Sequence, residues 1–177
     1  MPDSTRNFKS AKMKAIFILL FCVMNMLGFS QGRLTTLILV RHAEKDKSTT
    51  GKDPDLSEEG RRRANRLAEV LAHTEVASVY TTPYQRTRQT VAPLATSKKI
   101  NLKEYRPGQT GEIDRMITEN EGKTVLVCGH SNTIPAIANY LTGTDNYKDF
   151  DEHDYGNLMV ITFYHPGQSA RVTWLNY

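Results

Sequence analysis

Leu37-Ile38-Leu39-Val40-Arg41-His42-Ala43-Glu44-Lys45 runs four consecutive apolar residues straight into an arginine and a histidine. An unbroken apolar run of this length is the pattern of a strand buried on both faces, which belongs to a parallel sheet covered by helices. The arrangement recurs in Val125-Leu126-Val127-Cys128-Gly129-His130-Ser131-Asn132, where an apolar strand again delivers a histidine ahead of a helix start. Open α/β sheets bind ligands outside the carboxyl ends of their strands, so His42 and His130 are expected to face one crevice.

Outward from these two runs, strands alternate with helical patterns. Ser57 suits an N-cap with Glu58 and Glu59 in the first turn, and Ala64, Leu67, Ala68 and Leu71 form an apolar stripe to about Ala72. Arg61, Arg62, Arg63 and Arg66 lie among acidic residues as a solvated face. Val76–Thr81 reads as a short strand. Thr82-Pro83 reads as an N-cap with proline at N1, opening a helix to about Ala95. An extended Ile100–Tyr105, a short helix Glu112–Glu119, and a helix Thr133–Thr142 closed by Gly143 follow. Asn157–Tyr164 and Ala170–Leu175 flank a hairpin-like His165-Pro166-Gly167-Gln168. The fold class is α/β: three layers, a mostly parallel central sheet with helices on both faces, and an antiparallel edge strand.

The chain has 177 residues, 39% hydrophobic and 24% charged, enough for one domain with a core of its own. Its formal net charge is +4, much of it in Arg6, Lys9, Lys12 and Lys14, which leaves no nucleic-acid footprint on the remainder. Basic residues, the apolar run Ala15–Phe29 and Gly28-Phe29-Ser30 have the order of a secretory signal peptide over residues 1–30, with Met13 as an alternative start. A retained membrane anchor is the other reading. The expectation is a single domain over residues 31–177, periplasmic or secreted, with no membrane partner after cleavage. Of the two cysteines, Cys22 falls in the leader, so Cys128 has no intramolecular partner and reads as a buried small hydrophobe.

Tyr80-Thr81-Thr82-Pro83-Tyr84-Gln85-Arg86 is a third strand, turn and helix start, and it delivers Arg86 in the first helical turn. A cation there opposes the helix macrodipole unless an anion compensates. Arg41, Arg86, His130 and the start of the Thr133 helix together make an anion site, and phosphate suits it best. In such a site a neutral imidazole can attack phosphorus in line and form a phosphohistidine. The adjacent arginines disfavour the imidazolium of His42 and hold oxygens whose charge grows during transfer. No metal or cofactor is required, and neither histidine has a carboxylate or cysteine at a ligand spacing.

These residues resemble the histidine phosphatase superfamily, the phosphoglycerate-mutase-like proteins, over Leu37 to about Phe163. Arg41-His42 matches the Arg-His motif, Asp55-Leu56-Ser57-Glu58-Glu59-Gly60 the segment before the first helix, and Thr81-Thr82-Pro83-Tyr84-Gln85-Arg86 the Ser-Ser-Pro-Leu-x-Arg stretch. Gly129-His130 matches the second histidine motif. Ala43 stands where many members have Gly. The resemblance implies a phosphoglycerate mutase-like fold, with His42 as the phosphorylated nucleophile and Arg41, Arg86, His130 and Ser131 on the phosphoryl group. Glu104, in the Leu-x-Glu setting of Leu102-Lys103-Glu104, is implied as the general acid, with Glu112 and Asp114 in reserve. The expected activity is an exported, metal-independent phosphatase of the small phosphohydrolase branch. Its partner would be a phosphorylated small molecule or phosphoprotein. A mutase-like phosphotransferase and a non-catalytic phosphate-binding module are the alternatives.

Overall fold

The computed structural model describes residues 32–48, 51–109 and 111–177; the leader expected over residues 1–30, with its alternative start at Met13, lies outside them. In chain order the elements are β1 (Thr35–Arg41), α1 (Glu58–Val70), β2 (Ser78–Thr81), α2 (Gln85–Lys98), β3 (Leu102–Glu104), α3 (Glu112–Glu119), β4 (Thr124–Gly129), α4 (Thr133–Thr142), β5 (Asn157–Phe163) and β6 (Arg171–Asn176). Among the described residues one sheet holds six strands in the order β3-β2-β4-β1-β5-β6. The first four are mutually parallel. β5 runs antiparallel to β1, and β6 turns back along it as the outer strand.

The apolar runs are unbroken because both faces of the sheet are covered. Side chains alternate across a strand, so Ile38 and Val40 join Leu126 and Cys128 in one core with Leu67 of α1 and Val91 and Leu94 of α2. Leu37 and Leu39 join Val125 and Val127 in the other, with Met116 of α3 and Ile134, Ile137 and Leu141 of α4. This is the three-layer α/β architecture expected from the sequence. Cys128 is buried and its burial pushes the thiol pKa up, so it packs as a hydrophobe.

Local rules account for most helix ends. Ser57 Oγ accepts from the Gly60 amide at 3.0 Å as the N-cap of α1, and Gly143 closes α4 in the left-handed region at φ 67°. Gly60 lets α1 approach the chain beyond β1, where a Cβ would run into the Glu44 carbonyl. The start of α2 differs from expectation. The helix begins at Gln85 rather than beside Pro83, and Thr82 does not cap it. The carboxylate of Asp53, from the loop before α1, accepts from the Gln85 amide instead, at 3.0 Å to each oxygen.

Candidate active site

β1 and β4 are adjacent and in register, with Arg41 opposite Gly129. Their carboxyl ends therefore release His42 and His130 side by side, with ring centroids 5.4 Å apart. The His42 amide donates to the Gly129 carbonyl at 2.9 Å, which extends the ladder one residue into the site. Gly129 has no room for a side chain: a Cβ would stand 2.6 Å from Thr133 Oγ1 and 2.7 Å from Tyr105 Oη.

His42 is 5% exposed, and its Nδ1 lies 2.8 Å from its neighbour's carbonyl, Ala43 O. A carbonyl only accepts, so Nδ1 carries the proton and Nε2 keeps its lone pair. Burial is the main reason that the pKa of His42 falls to about 3. The Ala43 contact opposes the fall, and Arg86, His130 and Arg41 add to it. Desolvation thus outranks the arginines that the sequence suggested as the cause.

His130 is fixed in the opposite tautomer. Thr87 Oγ1 lies 2.9 Å from Thr82 O and 2.8 Å from Tyr84 O, and spends its one proton on a carbonyl. Thr82 Oγ1, 3.0 Å from Thr87 Oγ1, then donates to it. The Thr82 oxygen is left to accept from His130 Nε2 at 3.0 Å. His130 Nδ1 is bare and lies 3.5 Å from Arg86 Nη2. Burial first, then Arg86 and Arg41, lower the pKa of His130 to about 4.

The two arginines are held from outside the motif. Arg41 is 4% exposed; its Nη1 donates to Asp151 O at 2.7 Å and Asp154 O at 3.0 Å, and its Cζ stacks 4.2 Å from the Tyr155 ring centroid. Among the described residues its buried Nε has no hydrogen-bond partner. Arg86 stacks on Tyr84 at 4.4 Å and pairs with Asp53 at 3.3 Å. The anion that the cation at the helix N-terminus needs is therefore Asp53.

A cleft of about 730 Å³ opens on this group. It takes in Arg86 and His130 but not His42 or Arg41, so it lies to one side of the nucleophile and runs between α3, α4 and the chain after β3. Among the described residues no three His, Cys, Asp or Glu side chains form a metal-binding group, and no helix is long and apolar enough to cross a membrane.

Residues 37–108 match the family model of the histidine phosphatase superfamily (branch 1). Phosphoserine phosphatase 1 of Hydrogenobacter thermophilus is 37% identical over 86 residues, a stretch that spans 46% of this chain and 40% of that protein. The protein histidine phosphatase SixA complexed with tungstate superimposes with a TM-score of 0.63 at 17% identity, covering 80% of this chain and 96% of that one. Phosphoserine phosphatase from Entamoeba histolytica, in complex with 3-phosphoglyceric acid, does so with a TM-score of 0.60 at 21% identity, over 81% and 97%. The stretch similar to the histidine phosphatase superfamily, residues 37–108, holds Arg41, His42 and Arg86, and His130 lies beyond it.

The structure brings Arg41, His42, Arg86 and His130 together, and it does not bring Glu104 to them. Leu102 belongs to the core under α1 and α2, whereas Tyr105 belongs to the core under α3 and α4. Strand alternation puts Glu104 on the Leu102 side, opposite the cleft. There it is exposed and its carboxylate pairs with Arg88 of α2. Of the reserve carboxyls, Glu112 and Asp114 both line the cleft. Glu112 is held below the usual carboxylate range by Arg115 and the Arg106 amide, and Asp114 accepts from the Tyr140 hydroxyl. Ser131 lies outside the cleft lining; its carbonyl accepts from the Phe150 amide at 3.0 Å and anchors the loop that holds Arg41.

Sequence reasoning missed Thr82, Asp53 and Tyr155 as parts of the site. Thr82 stood in a recognised motif but reads there as a cap. Asp53 and Tyr155 lie in polar loops, and no local pattern marks them.

Proposed function

We propose that the chain hydrolyses a phosphorylated substrate through a covalent phosphohistidine on His42. The observation that carries this reading is the bare, desolvated Nε2 of His42, fixed by the Nδ1 contact to Ala43 O beside two arginines and a second histidine. The Nε2 lone pair attacks phosphorus and the bond to the leaving oxygen breaks. Arg41 and Arg86 hold the equatorial oxygens, where charge is stabilised without reorganisation. A bound dianion raises the pKa of His130, so its Nδ1 takes up a proton, and this proton goes to the leaving oxygen. Water then attacks phosphorus, gives a proton back to His130 Nδ1, and the P–N bond returns its electrons to Nε2 as inorganic phosphate departs.

The leader read from the sequence would place this activity outside the cytosol, on a small phosphoester or a phosphoprotein. Arginine and histidine carry the charge, so dialysis against a strong chelator should leave turnover intact. Rapid quenching during turnover of a ³²P-labelled aryl phosphate tests the mechanism. The label should be retained by wild-type protein in an acid-labile, alkali-stable form and be absent from folded His42→Ala. Retention of label by His42→Ala would overturn the assignment.

A further inference from the structure

The phosphoryl group needs only the space between Arg41, Arg86 and the two histidines, yet the cleft beside it holds about 730 Å³. Clefts of roughly 300–1,000 Å³ take ligands of many heavy atoms, far more than a phosphoryl group or a three-carbon leaving group supplies. Its apolar walls are Tyr84, Tyr105, Ile113, Ala136, Ile137 and Tyr140, with Gln109, Asn132 and Thr133 among the polar residues between them. Tyr105 and Ile137 are buried, so the floor is rigid, whereas Tyr84 and Tyr140 are 39% and 45% exposed and stand as uncovered aromatic faces. Tyr84 is anchored by its edge contact to His130 at 5.2 Å and by Arg86 over its ring. The far end mixes charge: Arg106 lines it together with Glu112 and Asp114, and both carboxylates already have donors in Arg115, the Arg106 amide and the Tyr140 hydroxyl. That end selects no net sign of charge, and the walls select shape and apolar area.

The cleft shares Arg86 and His130 with the phosphoryl site and excludes His42. In-line displacement requires the leaving group on the side of phosphorus away from the nucleophile. From this juxtaposition we infer that the cleft is the leaving-group site and that it takes a bulky, ring-bearing alcohol, so that the substrate class is an organic phosphomonoester with an aromatic or similarly extended apolar body. This inference rests on the phosphatase reading for its direction of attack, while the binding site it names can be measured without turnover.

Two phosphonates, which cannot be hydrolysed, separate the two questions. Calorimetry should find 1-naphthylmethylphosphonate bound about tenfold or more tightly than methylphosphonate, because burial of the ring adds apolar contact. Ala136→Trp fills the cleft from an exposed helix position and Tyr140→Ala removes one wall; each should lower that affinity ratio by about fivefold or more. Circular dichroism controls for folding. A wild-type ratio near one, or a ratio unmoved by both variants, overturns the inference. Hydrolysis of acetyl phosphate, whose leaving group is too small to use the cleft, reports separately on the chemistry at His42. Its absence alongside an intact phosphonate ratio would remove the phosphatase reading and leave the binding site standing.

Discussion

Thr82 Oγ1 lies 3.0 Å from His130 Nε2, and this contact determines which nitrogen of His130 meets the substrate. Thr82→Val keeps the shape and removes the acceptor, which frees the ring to adopt the other tautomer. The loss of one buried hydrogen bond is worth about 1 kcal/mol, so kcat/KM should fall by about fivefold or more. Thr82→Ser, which retains the oxygen, should recover most of it. A Val variant within twofold of wild type would remove Thr82 from the positioning of His130.

Binding of an anion should carry a proton with it. The pKa of His130 is lowered to about 4 in the empty site, and its bare Nδ1 cannot donate to a phosphoryl oxygen until it is protonated. Calorimetry with a dianionic phosphonate at about pH 8.5, in buffers of differing ionisation enthalpy, should show net proton uptake. His130→Asn should abolish that uptake. Uptake that persists in the variant would place the proton elsewhere.

The same histidines make stability pH-dependent in a definite sense. Burial keeps His42 and His130 neutral in the folded chain, with pKa values of about 3 and about 4. In the unfolded chain both titrate near about 6.5, so below that pH the unfolded state binds more protons. Their contribution is present in full above about pH 6.5 and is lost as pH falls through the window toward the folded values. Urea midpoints should therefore drop between about pH 6.5 and 5, before the carboxylates titrate. His42→Asn should flatten that slope; a slope equal to wild type would contradict it.

Leaving-group dependence discriminates Glu104 from His130 as proton donor. A general acid matters for a poor leaving group and little for an activated one. His130→Asn should therefore lose more activity on an alkyl phosphate than on an activated aryl phosphate. Glu104→Gln should affect both alike, because its carboxylate pairs with Arg88 outside the cleft. A selective loss on the alkyl substrate in Glu104→Gln would restore Glu104 as the acid.

Tyr155 should act through Arg41. Its ring lies 4.2 Å from the guanidinium carbon and 6.0 Å from the His42 ring. A partly desolvated cation–π contact is worth about 1 kcal/mol or more, so Tyr155→Leu should lower kcat/KM about fivefold or more. Tyr155→Phe keeps the ring face and should stay near wild type. Equal losses in both variants would point to the hydroxyl instead.

The strands, the layer order and the strand-end or helix-start positions of four candidate residues were legible in the sequence because each is a local property. An apolar run marks a strand buried on both faces, and His42 and His130 stand directly beyond two such runs. Helices Glu112–Glu119 and Thr133–Thr142 run over the residues expected from periodicity and caps. Tertiary structure alone decided the rest, since those relations join residues far apart in the chain. Asp53 displaced Thr82 as the cap of α2 because its loop folds back onto that helix end, and Thr82 was thereby left to orient His130. Asp151, Asp154 and Tyr155 reach Arg41 only once their loop crosses the carboxyl end of β1. Glu104 left the site because the pleat of β3, set by burial of Leu102 and Tyr105 on opposite faces, turns it toward Arg88. A motif specifies which side chains stand at a strand end; the packing around that end fixes their protons, their partners and the direction they face.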